Sequence, residues 1–391
     1  MAIQWTPEQL ALKKKTIEFF EQEVTPVMAE IDARPDPRDC YPGDLVRKAS
    51  RIGLRTLPLP EEYGGVNADI MMTTHLLITM CEIEPGLGKT LSQCWKVSSA
   101  VLHAGTMGQQ KRFLREFADD HDYTCSILIT EQDAASDNLL PYNDPKAGLA
   151  TKAVPEGGDY LITGSKNMAS LVGFSKLLLV FARTDPSVSV RKGTTTFLVP
   201  HNLPGITYGI VQDKMGYRLY PNGEAFFDRV RVPKKWMLGD LNGGFDTFAK
   251  IFRGSVEMPA TNLGICKGMY RIALNHARQR IQGGRPIIEH TSVGMQLAEM
   301  AMIIDTLETY TYDTALRVKT DPDYDVKKTR FGKVFSCECL LKVIALGLDV
   351  LGAVGIMRNH PFEKLIRDGL AMLHGDGTLS LNRLRVLPLI K

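Results

Sequence analysis

An α+β fold in three consecutive parts is what this sequence predicts: helices, an inserted block of strands, then a helical bundle. Three observations carry it. Residues 6–120 read at helical spacing, 121–235 break into short runs rich in β-branched and aromatic residues, and helical spacing returns after 242. At 391 residues the chain exceeds one ordinary core, so parts at 1–120, 121–235 and 236–391 are expected to form separate domains.

The first helix is signalled by Thr6, Pro7 and Gln9, which supply a cap, a first-turn proline and a capping-box partner for "LALKKKTIEFFEQEV". "PLPEEYGG", 58–65, is a loop by its proline and glycine content, and helices resume around 70–82 and 90–118. "YTCSILIT", "DYLITGSKNM", "KLLLVFART" and "TTTFLVP" then read as strands. No helical crossover separates them, which disfavours a doubly wound nucleotide fold. After "NGGF", 242–245, Val293, Leu297, Met300, Ile304 and Leu307 are spaced 4, 3, 4, 3, the seam of a bundle helix. "LLKVIALGLDVLGAVGIM", 340–357, is broken by Lys342 and Asp349, so a buried helix is expected there and not a membrane span.

Hydrophobic content of 44% and charged content of 23% suit a soluble globular protein. The net charge of +3 is small and its basic residues are scattered, so nucleic acid is not an expected partner. The densest basic run, Lys13-Lys14-Lys15, reads as the solvated face of a helix. "MAIQWTPEQL" lacks the pattern of a signal peptide, and seven cysteines without framework spacing suggest reduced thiols in the cytoplasm. Cys337 and Cys339 point to different helix faces, so no metal pair is expected.

"AMLHGDGTLSLNRLRVLP", 371–388, sets Asp376 between two glycines. Gly375 and Gly377 permit backbone angles closed to other residues, which would let Asp376 be aimed into a cavity. A turn capping the next helix is the other reading, and the stretch alone leaves both open.

"LITEQDAASDN" (128–138), "KMGYR" (214–218), "DRVRVP" (228–233), "EHTSVGMQLAEMAM" (289–302) and "HPFEKLIRD" (360–368) stand in the order found in acyl-CoA dehydrogenases. "GLRTLPLPEEYGG" (53–65) and "GDGT" (375–378) match as well, so the chain resembles that family along essentially its whole length. The resemblance implies an N-terminal α-helical domain, a middle β-barrel or sandwich domain and a C-terminal four-helix bundle. It also implies FAD held between subunits of a homotetramer, an acyl-CoA substrate, and an electron-transferring flavoprotein or similar acceptor.

In that family a carboxylate takes the α-proton of an acyl thioester while the β-hydride goes to flavin N5. Asp376 stands where the family's glutamate stands, and the resemblance makes it the base, provided apolar surroundings raise its pKa toward working pH. Gly377 would lie against the substrate, with Thr378 and Ser380 on the cofactor side. A second family branch carries its base on the first bundle helix, just before that helix's family arginine, but that position is Ser255 here. Glu257, two residues on, points about 200° away on a helix.

Ile129, Thr130 and Ser136 keep the family's flavin spacing, and Ser136 could also meet the thioester. Within "KNMAS", 166–170, Met168 replaces a tryptophan that packs on flavin and Ser170 a threonine near N5. For a neighbour's FAD the resemblance offers Arg280, with Gly283 and Thr291 in place of an aromatic and an amide, and Asp349, Gly352 and Ala353 in place of a glutamine and glycine turn. Arg253 would reach the CoA phosphate or pantetheine. Gln93 and Trp95 fall near the end of the acyl tail, although core packing is the plainer role for Trp95. A dinucleotide fingerprint for NAD is absent. Relatives of this fold with other chemistry, among them oxidases, desulfinases, carrier-tethered or 1,4-eliminating dehydrogenases and silent flavin binders, form the alternative.

Overall fold

The computed structural model describes residues 4–140, 142–251, 255–325, 329–387 and 390. Helix α1 (Pro7–Phe19) opens with the expected capping box, Thr6 Oγ1 accepting from Gln9 N and Gln9 Oε1 from Thr6 N. A wider turn at Phe20–Val24 carries it into α2 (Thr25–Asp32), and α3 (Gly43–Arg51) and α4 (Ile70–Cys81) follow.

The helix expected over 90–118 is not one helix. It begins earlier, as α5 (Pro85–Ala104), and is followed by the short α6 (Met107–Gln109) and α7 (Arg115–Asp119). Pro85 sits in the first turn, capped by the Glu84 carboxylate. The helix ends at Gly105, where a Cβ would stand 2.4 Å from Val101 O. Thr106 and Gln109 then start a new helix with a second capping box.

The middle part is one sheet. Strands β1 (Cys125–Leu128), β2 (Lys152–Glu156), β3 (Asp159–Ser170), β4 (Leu177–Arg183), β5 (Thr194–Pro200), β6 (Ile206–Val211), β7 (Asn222–Pro233) and β8 (Met237–Leu238) build it. The order is β6-β7-β3-β2-β4-β5-β8, with β1 lying parallel to β4 in the register Cys125↔Leu177. Among the described residues the strand connections hold no α-helix.

Helix α8 (Gly244–Ile251) leads to a bundle of α9 (Glu257–Gln279), α10 (Thr291–Thr320), α11 (Thr329–Leu351) and α12 (Pro361–Met372). The hairpin β9 (Ile281–Gln282) and β10 (Arg285–Pro286) joins α9 to α10, and α13 (Leu379–Val386) follows α12. Leu297, Met300, Ile304 and Leu307 are buried along the expected seam, with Val293 half-buried at its start. One helical stretch among the described residues, 329–356, has the length and apolarity to cross a membrane; in the fold α11 packs on α9, α10 and α12.

Helix α5 stands where two apolar cores meet. Leu87, Leu91 and Trp95 pack with the bundle and α4, while Cys94, Val97 and Val101 pack with the sheet. With apolar neighbours on both sides, a narrow stripe remains for polar groups. Lys89, Ser92 and Lys96 occupy it at i, i+3 and i+7, facing the start of α9.

Candidate active site

The turn bearing Asp376 is fixed from three sides. Lys333 of α11 donates to Met372 O at 2.9 Å and Leu373 O at 3.4 Å, tying down the end of α12. Thr378 caps α13, its Oγ1 accepting from Leu381 N at 3.1 Å. Asn382 Nδ2 reaches back to the carbonyls of Asp376, Gly377 and Thr378 at 3.1–3.2 Å. Asp376 itself takes the left-handed conformation, φ 55°, and Gly377 follows at φ 93°. A Cβ at Gly377 would stand 2.6 Å from Leu381 Cδ2, so glycine is needed there. Gly375 keeps an ordinary φ. The cap of α13 is therefore Thr378, which leaves the Asp376 carboxylate without a capping duty.

Asp376 is exposed in the single chain, and its charge acts on the cations Lys89, Lys333 and Arg385. The base role is conditional on apolar surroundings; α5 and α11 instead each bring a buried lysine to this side. Burial alone would lower the Lys89 pKa, but the charges of Glu257 first and Asp376 second outweigh it and raise it. Burial pulls Lys333 below the ordinary lysine value, partly offset by Cys337 and Asp376.

Glu257 is buried at the head of α9. Its Oε1 accepts from Lys89 Nζ at 2.5 Å and Ser92 Oγ at 2.6 Å, and its Oε2 pairs with Lys96 at 2.8 Å. Although burial opposes ionisation, the two ammonium groups hold its pKa well below the ordinary carboxylate range. An acid so firmly ionised and paired is a weak proton acceptor. A cleft of about 330 Å³ between α4, α5 and α9 reaches this cluster, with Asp69, Thr73, Ser92, Lys96, Ser255 and Glu257 on its walls. Sequence reasoning missed the cluster. The signal available was the Lys89, Ser92, Lys96 spacing inside an otherwise apolar helix.

A polar chain links this region to the sheet. Gln93 is buried and accepts from Tyr220 OH at 3.3 Å. Lys214 Nζ donates to Tyr220 O at 2.7 Å and Asn222 Oδ1 at 2.6 Å, and burial lowers its pKa to about 7. Asn222 Nδ2 in turn donates to Met168 O at 2.6 Å and Ser170 Oγ at 3.3 Å. Met168 adopts φ 54° with its side chain 49% exposed. Beside it, Thr130 O accepts from Asn167 N at 2.9 Å and Ile129 O from the buried Lys166 Nζ at 3.0 Å. Ser136 opens the short turn Ser136–Asn138. Trp95 is core, its Nε1 donating to Leu54 O at 2.8 Å.

The remaining candidates lie elsewhere. Arg280 ends α9, Gly283 sits in the hairpin at φ 58°, and Thr291 begins α10. Asp349 accepts from Gln296 at 3.2 Å near the end of α11, with Gly352 at φ 60° and Ala353 just beyond. Asp349 is 16 residues along α11 from Lys333, about 24 Å at helical rise, so this group and the Asp376 turn do not share one pocket within the chain. Ser380 is exposed in the first turn of α13. Arg253 lies outside the described residues.

The donor set suits a flavin dinucleotide. Half-buried hydroxyls of Thr130 and Ser170 stand beside the exposed Met168, Ser136 is half-buried in the turn Ser136–Asn138, and the exposed Arg280 has no ion-pair partner among the described residues, which suits a pyrophosphate.

Three family descriptions match in chain order: "Acyl-CoA dehydrogenase, N-terminal domain" over residues 6–121, "middle domain" over 126–230 and "C-terminal domain" over 242–387. The acyl-CoA dehydrogenase of Bacillus subtilis (strain 168) is 29% identical over 381 residues, 97% of each chain. The 3-(aryl)acrylate reductase of Clostridium sporogenes (strain ATCC 15579) is 28% identical over 382 residues, again 97% of each. A chain from the structure of the electron transferring flavoprotein of Acidaminococcus fermentans has a TM-score of 0.90 and 25% identity, covering 100% of this chain and 99% of that one. With its helical, sheet and helical parts matched in order, this chain belongs to the acyl-CoA dehydrogenase family of FAD-dependent oxidoreductases.

Proposed function

We propose that the enzyme oxidises an acyl-CoA thioester to its α,β-enoyl thioester, with Asp376 as the base that removes the α-proton. The observation carrying this reading is the Asp376 turn: a carboxylate in a left-handed conformation, free of capping duty, held by Lys333, Asn382 and Gly377. The bound FAD supplies a two-electron acceptor for the β-hydride. Thr130, Ser136, Met168 and Ser170 hold its ring region and Thr378 and Ser380 flank it, with Ile129 contributing backbone. The backbone N–H of Asp376 donates to the thioester oxygen and so stabilises enolate charge.

Arg280, Gly283, Thr291, Asp349, Gly352 and Ala353 serve the FAD of a neighbouring copy, which makes the working unit a homotetramer. Their separation from the Asp376 turn along α11 supports this reading. Electrons leave to a protein carrier of the electron-transferring flavoprotein kind, a reading supported by the likeness to the Acidaminococcus fermentans chain. Anaerobic addition of straight, branched, cyclic and aromatic acyl-CoA thioesters tests the proposal. At least one should bleach the flavin band; a flavin that stays oxidised across the whole series contradicts it.

A further inference from the structure

Strand β3 carries a bulge near its end. Between the pairs Lys166↔Ala225 and Ala169↔Gly223, two residues of β3 stand opposite one of β7, and Met168 inside the bulge takes φ 54°. A bulge interrupts the ladder and re-aims the side chains beside it. Here Met168 O is met by a side chain: Asn222 Nδ2 donates to it at 2.6 Å and to Ser170 Oγ at 3.3 Å. Asn222 and Ser170 form the last pair of the two strands, so both stand at the mouth of the bulge.

Two neighbours fix which way the Asn222 amide faces. Lys214 Nζ donates to its Oδ1 at 2.6 Å, and Met168 O can only accept, so the amide oxygen lies toward the lysine and the nitrogen toward β3. Burial lowers the Lys214 pKa to about 7, with the Asp368 charge opposing. A neutral amine still keeps two N–H groups, enough for Asn222 and for Tyr220 O at 2.7 Å, so the direction holds in either state. Ser170 Oγ is thus an acceptor toward Asn222, and its single proton is spent elsewhere. Within the chain the competing acceptor is the phenol oxygen of Tyr220, whose own proton goes to Gln93 Oε1 at 3.3 Å.

We propose that Asn222, oriented by Lys214, is a positioning residue that turns the Ser170 hydroxyl into a donor toward the ring of the bound FAD. This rests on the reading above that Ser170 faces the flavin, and not on the role of Asp376. An oxidised flavin ring offers acceptor nitrogen and oxygen atoms. A serine whose oxygen already accepts from behind presents that ring a proton; without Asn222 the same hydroxyl turns inward or outward alike.

The test reads the FAD dissociation constant and the visible flavin band of the FAD-loaded enzyme, for Ser170→Ala in two backgrounds. In the wild-type background Ser170→Ala should weaken FAD binding about 5-fold, the worth of one hydrogen bond, and move the band. Asn222→Asp keeps the shape of the amide but puts an acceptor where the donor stood, so the Ser170 proton turns to it. Adding Ser170→Ala to that variant should change FAD binding by less than about twofold and leave the band in place. If Asn222→Asp does not fold, Asn222→Leu, which removes the donor without adding an acceptor, should shrink the Ser170→Ala effect below about threefold. An effect of equal size in both backgrounds makes Asn222 a support of the bulge only, and an unchanged flavin in Ser170→Ala gives the proton to Tyr220. Either result overturns the inference and leaves the dehydrogenase reading standing. Thioesters that fail to reduce a flavin showing the expected coupling remove the dehydrogenase reading and leave this inference standing.

Discussion

Lys333 Nζ donates to Met372 O at 2.9 Å, which ties α11 to the last turn of α12, four residues ahead of Asp376. Helix ends leave carbonyls without partners, and a buried cation there meets both the hydrogen-bonding need and the helix dipole. Lys333 is thus a positioning residue. Lys333→Met should cost about 1–3 kcal/mol of stability, the usual range for a buried polar group left without its partner. It should also lower kcat about 10-fold while changing KM less, because the turn loses its anchor before the substrate loses its contacts. Denaturant unfolding and steady-state kinetics on the same preparation check this, and an unchanged kcat in a destabilised enzyme would reduce Lys333 to a packing role.

Glu84 should leave a mark on the pH dependence of stability. Its Oε1 accepts from Gly86 N at 2.8 Å, and Lys364 stands 2.6 Å from its Oε2 as an ion pair without hydrogen-bond geometry. Lys364 is shared with Asp368 at 2.8 Å. Burial pushes Glu84 from an ordinary 4.5 up to about 7, with Lys364 opposing and the Asp368 charge assisting. A carboxyl raised on folding binds its proton more tightly in the folded state. The stability it contributes is full below about 4.5 and is lost as pH rises through about 7. Denaturation of wild type and Glu84→Gln at pH 5 and pH 8 should show the wild type losing more stability across that interval. Parallel pH profiles would contradict the assignment.

Arg280 carries the shared-cofactor reading. It is exposed and has no ion pair among the described residues, so its removal should disturb little inside its own chain. Arg280→Ala is expected to keep its fold and assembly but to weaken FAD retention by about 10-fold or more, in line with loss of a charged hydrogen bond to phosphate. Native mass spectrometry reads both quantities at once. An FAD-loaded monomer, or wild-type retention in Arg280→Ala, would contradict it.

Local signals made much of the fold legible. Thr6, Pro7 and Gln9 marked the start of α1 because capping chemistry is confined to neighbouring residues. The 4, 3, 4, 3 spacing found the buried side of α10 because that helix packs along a bundle seam. The start of α5 lies ahead of the expected 90 because Pro85 suits a first helical turn, where the deciding contact is the carboxylate of Glu84. Within the candidate site, Asp376 stood out because glycine on both sides of a carboxylate is a backbone signal. The cluster of Lys89, Lys96 and Glu257 was hidden because its partners are more than 160 residues apart, and pairing across helices follows from packing, not from spacing. Lys333 was hidden for the same reason, since it meets the Asp376 turn only through the ends of two helices.

The central claim is that Asp376 removes the α-proton, and Asp376→Asn tests it most directly because shape is kept while basicity is lost. The variant should still bind FAD, whose proposed contacts are made mainly by other side chains. Anaerobic stopped-flow reduction by the best thioester should slow by at least about 10²-fold, the range of a lost general base, while Asp376→Glu should keep part of the rate. Flavin reduction by Asp376→Asn at the wild-type rate would make Asp376 a turn residue only, and would contradict the account.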